Sequence, residues 1–150
     1  MKRYICALAV CLCAALLCSC GGNAPSESSS AEAVTSSEYD IDLTQMSSTM
    51  IYSTVSNMML YPDTYMGENI KMQGQFAVYH DKSADKYYFS VIIPDATACC
   101  TQGIEFVLDG DYSYPEDYPA EGETITVSGQ FNTYDEYGFK YCQLIHAKML

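Results

Sequence analysis

Three cysteines lie in the part of the chain that has enough apolar residues to fold: the adjacent pair Cys99 and Cys100, and Cys142. Thiols form disulfides, bind soft metal ions, react as nucleophiles or pack as small apolar groups. A bond within the adjacent pair is disfavoured, because neighbouring Cα atoms lie about 3.8 Å apart and disulfides need roughly 4.4–6.8 Å. The Cys-x2-Cys spacing of zinc sites is absent, so zinc binding by all three cysteines with His146 requires an unusual convergence. A disulfide to Cys142, a free thiol and simple packing remain open.

Other chemistry has weaker support in the sequence. Neither histidine, His80 or His146, stands in a catalytic motif, and no serine is surrounded by Gly-x-Ser-x-Gly. No constellation therefore favours an enzyme, and we predict no cofactor. The segment DGDYSYPEDY offers oxygen ligands but lacks the EF-hand spacing, so we predict a solvated loop and no bound metal. The weak calcium alternative would use Asp109, Asp111, Glu116 and Asp117.

The start of the chain, MKRYICALAVCLCAALLCSC, has the layout of a secretory signal peptide. A basic start at Lys2 and Arg3 precedes an apolar run that is too short for a comfortable membrane span. The end of this segment, LCSC (17–20), resembles the bacterial lipobox, in which the last cysteine is lipidated and becomes the first residue. We predict a signal peptide at 1–19 and lipidation of Cys20, with an ordinary signal peptide cleaved elsewhere as the alternative.

Residues 20–44 are rich in Ser, Ala and Glu and are predicted to form a flexible tether after the lipidated cysteine. Cleavage removes the two cations Lys2 and Arg3, so the formal net charge falls from −12 to −14. Such an acidic surface repels phosphate groups, and we predict no nucleic-acid partner. The expected partners are the membrane, through the lipid anchor, and an unknown envelope protein, peptide or glycan. The predicted location is the extracytoplasmic face of the cell membrane.

Residues 45–150 are long enough for one domain with one core. The segment TQMSSTMIYSTVSNMML spaces its apolar residues as a helix does, with Thr44 as the predicted N-cap and an end near Leu60. Its methionine stripe is typical of a buried helix face, and the alternative is a binding groove that flexible methionine side chains can adapt to a ligand. Five segments with apolar residues at period two follow, separated by turn signals, and predict five strands. They are NIKMQGQFAVYH, KYYFSVII, GIEFVL, ETITVSGQFNTY and GFKYCQLIHAKM.

Two of these segments echo each other, since GENIKMQGQFAVY (67–79) and GETITVSGQFNTY (122–134) agree at seven positions. The mid-strand glycines Gly74 and Gly129 indicate a bend or a close backbone approach, as a small closed barrel requires. Three segments resemble OB-fold lipoproteins of Gram-positive, clostridial-type gut bacteria whose activity is unassigned: YPDTYMGENIKMQGQF, IIPDATACCTQGIEFVL and YPAEGETITVSGQFNTYDEYGFKYC. The resemblance implies a mainly β fold, a five-stranded OB-fold-like Greek-key barrel preceded by one α-helix.

The OB-fold resemblance also implies positions for the tyrosines and cysteines. OB-folds bind ligands along their second and third strands and the loops that join strands one to two and four to five. Their third strand lies beside the fifth, so Cys100, or less favourably Cys99, is expected within disulfide reach of Cys142. The predicted binding residues share flat rings suited to stacking and are Tyr79, Tyr87, Tyr88, Tyr134, Tyr137 and Tyr141.

The predicted function is therefore a ligand- or partner-binding module that a lipid holds at the membrane. The alternative is a thiol, redox or metal-handling envelope protein centred on Cys99, Cys100 and Cys142. A count of free thiols and a measurement of bound metal separate these two functions.

Overall fold

The computed structural model describes residues 38–150, and the predicted signal peptide, Cys20 and most of the predicted tether lie outside them. Across the described residues the chain forms six strands and one α-helix, α1 (Ser48–Leu60). The helix and the five long strands fall close to where the periodicity predicts them. The strands are β1 (Ile41–Asp42), β2 (Asn69–Asp81), β3 (Lys86–Pro94), β4 (Thr101–Leu108), β5 (Thr124–Glu136) and β6 (Phe139–Met149).

The five long strands close into a ring. β2 pairs antiparallel with β3, and β3 pairs antiparallel with β4. β4 then pairs parallel with β6, while β5 pairs antiparallel with both β6 and β2. The short β1 lies parallel to β2, with Ile41 opposite Ile70. The predicted OB-like barrel is confirmed, including the contact between its third and fifth long strands, which are β4 and β6.

The two segments that echo each other in sequence are direct neighbours in the barrel, on β2 and β5. The amide of Gly67 donates to the carbonyl oxygen of Phe131 at 2.9 Å. The equivalent amide, that of Gly122, donates to the carbonyl oxygen of Phe76 at 2.8 Å. Each hydrogen bond has its counterpart on the other strand, so an approximate twofold rotation relates the two segments. The sequence echo therefore reflects two equivalent environments.

Gly74 and Gly129 occupy equivalent places in these strands, where other backbone comes close. A Cβ atom on Gly74 would lie 2.5 Å from the carbonyl oxygen of Ile92. On Gly129 it would lie 3.0 Å from the carbonyl oxygen of Ile145. Because a carbon at 2.5 Å overlaps an oxygen, β2 and β3 reach their separation only if residue 74 has no side chain. The predicted close backbone approach is confirmed.

Alternation along the strands fills the barrel with apolar side chains. Successive residues point alternately inward and outward, which is the period of two that the sequence shows. The largest fully buried strand residues are Ile70, Met72, Phe76, Val91, Ile104, Phe106, Val127, Phe131 and Leu144.

The folded domain begins before residue 45. Leu43, predicted to lie in the tether, is fully buried, and Ile41 packs against the core. The carboxylate of Asp40 accepts a hydrogen bond from the amide of Asn69 at 2.8 Å. The end of the predicted tether therefore belongs to the domain, because its two large apolar side chains are covered by the barrel.

The helix α1 packs on β3, β4 and β6 through one face. Val55 and Met58 are fully buried, whereas Met50 and Met59 are 57% and 45% exposed. The methionine stripe is therefore only partly a core face. Within residues 38–150, neither α1 nor any other helix has the length and apolar content needed to cross a bilayer.

The start of α1 differs from the prediction. Its N-cap is Ser47 rather than Thr44. Thr44 lies in a preceding 3-10 turn, where its amide donates to the carboxylate of Asp42 at 2.9 Å. The long connection from β4 to β5, residues 109–123, consists of turns, bends and irregular segments.

Candidate functional site

Outward-facing side chains on the barrel form a pocket of about 340 Å³, which we call the tyrosine pocket. Along β4, Glu105 points outward between the buried Ile104 and Phe106. Five of the six predicted binding tyrosines line this pocket: Tyr79, Tyr88, Tyr134, Tyr137 and Tyr141. Three carboxylates line it with them: Asp81, Glu105 and Glu136.

The position of the tyrosine pocket matches the ligand-binding face of OB-folds. Tyr88 and Glu105 lie on β3 and β4, which are the second and third strands of the ring. Asp81 ends β2 at the connection to β3, and Tyr137 lies in the turn between β5 and β6. These two strands and two connections are the parts with which OB-folds contact their ligands. The structure thus brings five of the six predicted tyrosines together on this face.

Tyr134 and Glu105 form the most buried polar contact of the pocket. The Tyr134 hydroxyl donates to Oε2 of Glu105 at 2.6 Å, and the Tyr134 ring stacks on Tyr141 with centroids 5.4 Å apart. Burial raises the pKa of Glu105 above its ordinary value, and the hydrogen bond from Tyr134 opposes this rise. Burial, followed by the hydrogen bond to Glu105, also raises the pKa of Tyr134. The phenol therefore stays protonated and acts as a donor.

A second contact joins Tyr88, Glu136 and Lys86. The Tyr88 hydroxyl donates to Oε2 of Glu136 at 2.5 Å, and Lys86 Nζ lies 3.0 Å from Oε1 of the same carboxylate. The Lys86 ammonium also lies 4.4 Å from the centroid of the Tyr88 ring. Hydrogen bonds from Tyr88 and then Lys86 hold the pKa of Glu136 below its ordinary value. Glu136 is therefore ionised at neutral pH.

Asp81 and Tyr137 form the exposed rim of the pocket. The Tyr137 hydroxyl donates to Oδ2 of Asp81 at 3.1 Å. The hydroxyl and then the amide of Ser83 donate to the same carboxylate and lower the pKa of Asp81 to about 2. The rim carries a fixed negative charge beside an exposed aromatic ring.

The pocket therefore combines aromatic rings with excess negative charge. Aromatic faces are electron-rich and attract cations, and nearby carboxylates strengthen that attraction. Lys86 offsets one of the three carboxylate charges. This combination is suited to a ligand that carries positive charge and some apolar surface.

Tyr87, the sixth predicted binding residue, does not line the tyrosine pocket. Its ring stacks on His80 at 4.1 Å and packs against Tyr114 at 5.0 Å. Tyr87 and Tyr88 are adjacent on β3, so alternation sends them to opposite faces of the strand. Tyr87 supports the aromatic cluster around Phe89 instead.

The cysteines of the described chain are all free. The parallel register sets Glu105 opposite Gln143, so Cys142 lies opposite Ile104. Ile104 is four residues beyond Cys100 along the strand direction. At about 3.3 Å per residue this offset is roughly 13 Å, which is beyond disulfide reach. Cys142 instead points its thiol to the carbonyl oxygen of Met58 at 3.9 Å, and burial raises its pKa. The structure does not form the predicted disulfide, because adjacent strands do not ensure a matching register.

The pair Cys99 and Cys100 lies in an exposed loop between β3 and β4 together with Asp95. The two sulfur atoms are 3.6 Å apart, and the Cys99 thiol donates to Oδ2 of Asp95 at 3.3 Å. Burial raises the pKa of Asp95, but hydrogen bonds from Cys99 and Thr97 outweigh it and leave the pKa below its ordinary value. The hydrogen bond from Cys99 raises the pKa of Cys100. The three side chains form a compact group with two sulfur donors and one oxygen donor.

The four carboxylates of the weak calcium alternative are not gathered into such a group within residues 38–150. Asp109 faces His146 at 3.8 Å, and Asp117 accepts a hydrogen bond from the amide of Ser113 at 2.8 Å. The carboxylates in the tyrosine pocket, and Asp95, were not predicted from the sequence. Glu105 had a recoverable signal, because it is a charged residue between two inward-facing apolar residues.

Comparisons with known proteins give no family. No family model matches the chain, and no curated protein is significantly similar to it. Among solved structures, the chain is similar to a lipoprotein of Klebsiella pneumoniae subsp. pneumoniae MGH 78578, provisionally described as nucleic acid-binding. The TM-score is 0.43 at 17% sequence identity, covering 67% of this chain and 87% of that chain.

The description of that neighbour contradicts the prediction of no nucleic-acid partner, and the prediction is wrong as an exclusion. Net charge describes the average surface and therefore nonspecific attraction to phosphates. It does not describe what a particular pocket binds, so it was too coarse to exclude a class of ligand.

Proposed function

We propose that the protein is a membrane-anchored lipoprotein whose OB-like barrel is a ligand-binding module, with the tyrosine pocket as its site. One observation carries the proposal: five tyrosines and three carboxylates, from separate strands and turns, converge on the face where OB-folds bind ligands. Paired phenols and carboxylates hold one another in place, so the pocket is largely formed before a ligand arrives. A preformed site loses less conformational entropy on binding.

The anchor is proposed from the sequence pattern alone. A signal peptide at 1–19, lipidation of Cys20 and a tether would hold the barrel on the extracytoplasmic side of the membrane. Two acyl chains on that cysteine are what stable anchoring takes. Membership among the lipoproteins of Gram-positive gut bacteria is part of this same proposal.

The chemistry of the pocket favours a cationic organic ligand, such as an amine or a quaternary ammonium group. Each aromatic ring that faces a cation contributes about 0.5–2 kcal/mol. Glu136 and Asp81 are ionised at neutral pH and add direct attraction. A ligand of this kind would compete with Lys86 for the Tyr88 ring and for Glu136.

Binding of tetramethylammonium and spermidine to the full chain in a nonionic detergent tests the proposal. The chain has no tryptophan, so tyrosine fluorescence reports directly on the rings. We expect Tyr141→Ala and Glu136→Gln each to weaken binding by about tenfold, which corresponds to about 1.4 kcal/mol. Tyr61→Ala is the matched control, because Tyr61 is an exposed tyrosine at the end of α1.

Two outcomes would overturn the assignment of a cationic ligand to this site. If neither cation perturbs the fluorescence, the pocket does not bind cationic ligands. If a single-stranded oligodeoxythymidine binds instead and Tyr141→Ala abolishes that binding, the site is real but its ligand is a nucleic acid.

A further inference from the structure

The loop between β3 and β4 has a fixed shape that depends on Asp95. The amide of Asp95 donates to the carbonyl oxygen of Cys100 at 2.8 Å, which closes the loop. Oδ1 of Asp95 accepts hydrogen bonds from the amides of Thr97 and Cys99, each at 3.0 Å. Ala98 adopts a left-handed conformation, with φ of 56°, between them. These contacts hold the carboxylate and both cysteines on one short loop.

The donor atoms of the loop are spaced as metal ligands are. One ligand atom from each of Asp95, Cys99 and Cys100 lies within 4.8 Å of the others. With metal–sulfur bonds of about 2.3 Å, sulfur atoms 3.6 Å apart subtend about 103° at the metal, close to a tetrahedral angle. The Cys99 thiol donates to Oδ2 of Asp95 at 3.3 Å, so its proton lies between a sulfur and an oxygen that could both bind a metal ion.

A disulfide and buried packing, two other uses of this cysteine pair, do not fit the structure. A bond within the pair is disfavoured because the residues are adjacent. The register places Cys142 too far away to be a partner. Packing as a buried apolar group does not apply either, since Cys99 and Cys100 are both exposed.

We propose that Asp95, Cys99 and Cys100 form a binding site for a thiophilic divalent cation of the zinc class. Two thiolates and one carboxylate supply three ligands, and water fills the fourth position. Thiolate donors select zinc and similar soft or borderline ions over calcium and magnesium, which prefer oxygen. On binding, each thiol releases one proton to solvent and forms one sulfur–metal bond, so one M²⁺ displaces two protons. The site does not depend on the tyrosine pocket.

The test uses the full chain with serine at Cys6, Cys11, Cys13, Cys18 and Cys20, so that thiolates come only from the folded domain. Co²⁺ is the probe, because cobalt thiolates absorb in the near ultraviolet, and Zn²⁺ is the competitor. We expect one Co²⁺ per chain, a thiolate absorption band and displacement by Zn²⁺. Cys99→Ser and Cys100→Ser should each abolish the band, and Asp95→Asn should weaken binding by about tenfold or more.

Cys142→Ser is the matched control and should leave the band unchanged, because this thiol lies outside the loop. Circular dichroism of each variant confirms that the barrel remains folded. Three results would overturn the assignment: no band at millimolar Co²⁺, a band that survives Cys99→Ser, or a ratio of one metal to two chains. The last result would indicate a site between two copies rather than in the loop.

Discussion

The hydroxyl of Tyr134 donates to Glu105 at 2.6 Å and so links β5 to β4, two strands that are not neighbours in the sheet. Tyr141, on the strand between them, stacks on the Tyr134 ring. Glu105 is half-buried, and burial is the largest cause of its raised pKa. The phenol is the donor that opposes this rise. The pKa of Glu105 therefore responds to a contact that spans three strands.

Removing this donor should destabilise the domain. Tyr134→Phe leaves the half-buried Glu105 without its phenol, and we expect a loss of about 1–3 kcal/mol in the free energy of unfolding. Urea unfolding at neutral pH measures the change. Tyr141→Phe is the control, since it removes a hydroxyl from the stacked ring and leaves Glu105 its donor. Equal losses of unfolding free energy in the two variants would show that the hydrogen bond from Tyr134 to Glu105 does not stabilise the domain.

Acid should weaken the domain through Asp81. Ser83 holds the pKa of Asp81 at about 2, against an ordinary value of 3.8. A carboxyl with a lowered folded-state pKa stabilises the fold above its unfolded value, and that contribution is lost as the pH falls from 3.8 towards 2. We therefore expect Asp81→Asn to flatten the decline of melting temperature in this window. A decline of unchanged steepness would assign the acid sensitivity to other carboxyls.

Substitution of the two mid-strand glycines should have unequal effects. In Gly74→Ala the new methyl group meets the Ile92 carbonyl oxygen at 2.5 Å, so β2 and β3 must separate. In Gly129→Ala the closest approach is 3.0 Å, and a smaller shift suffices. We expect Gly74→Ala to cost about 3 kcal/mol or more and Gly129→Ala about half as much. Chemical unfolding measures both, and a reversed order would contradict the barrel geometry.

The redox state of the solvent should leave the barrel unchanged. Among residues 38–150, Cys142 has no cysteine within reach, so reductant should not shift the melting temperature of the chain with serine at its five leader cysteines. Thiol titration after denaturation without reductant should return three thiols per chain, as many as the described domain contains. A fall in melting temperature on reduction that is absent in Cys142→Ser would contradict this expectation and support the disulfide predicted from the sequence.

The barrel could be predicted from the sequence because its determinants are local. Period-two alternation gave the strands, and the repeated glycines Gly74 and Gly129 indicated the close approaches of a closed barrel. The domain start was placed too late, because Leu43 is a single apolar residue in a polar stretch and its burial depends on distant strands. Such burial leaves no local pattern.

The candidate site could be predicted only in part. The gathering of five tyrosines on one face was predictable, because the OB-fold topology brings their strands and loops together. The role of that face in ligand binding stays a prediction. The partners of its tyrosines were not predictable, since the contact of Tyr134 with Glu105 depends on register across three strands. The same limit applies to Cys100 and Cys142, whose strands are neighbours but whose positions are offset by four residues.

The most direct test of the tyrosine pocket is an NMR titration of the full chain, in neutral detergent, with tetramethylammonium and specific labels on the tyrosine rings. Ring resonances of the pocket tyrosines should shift together with one saturation curve. The ring resonances of Tyr61 and Tyr87, which lie outside the pocket, should not shift. Shifts confined to Tyr87 and its aromatic cluster, or no saturable shift at any ring, would contradict the central claim. The rings expected to move are Tyr79, Tyr88, Tyr134, Tyr137 and Tyr141.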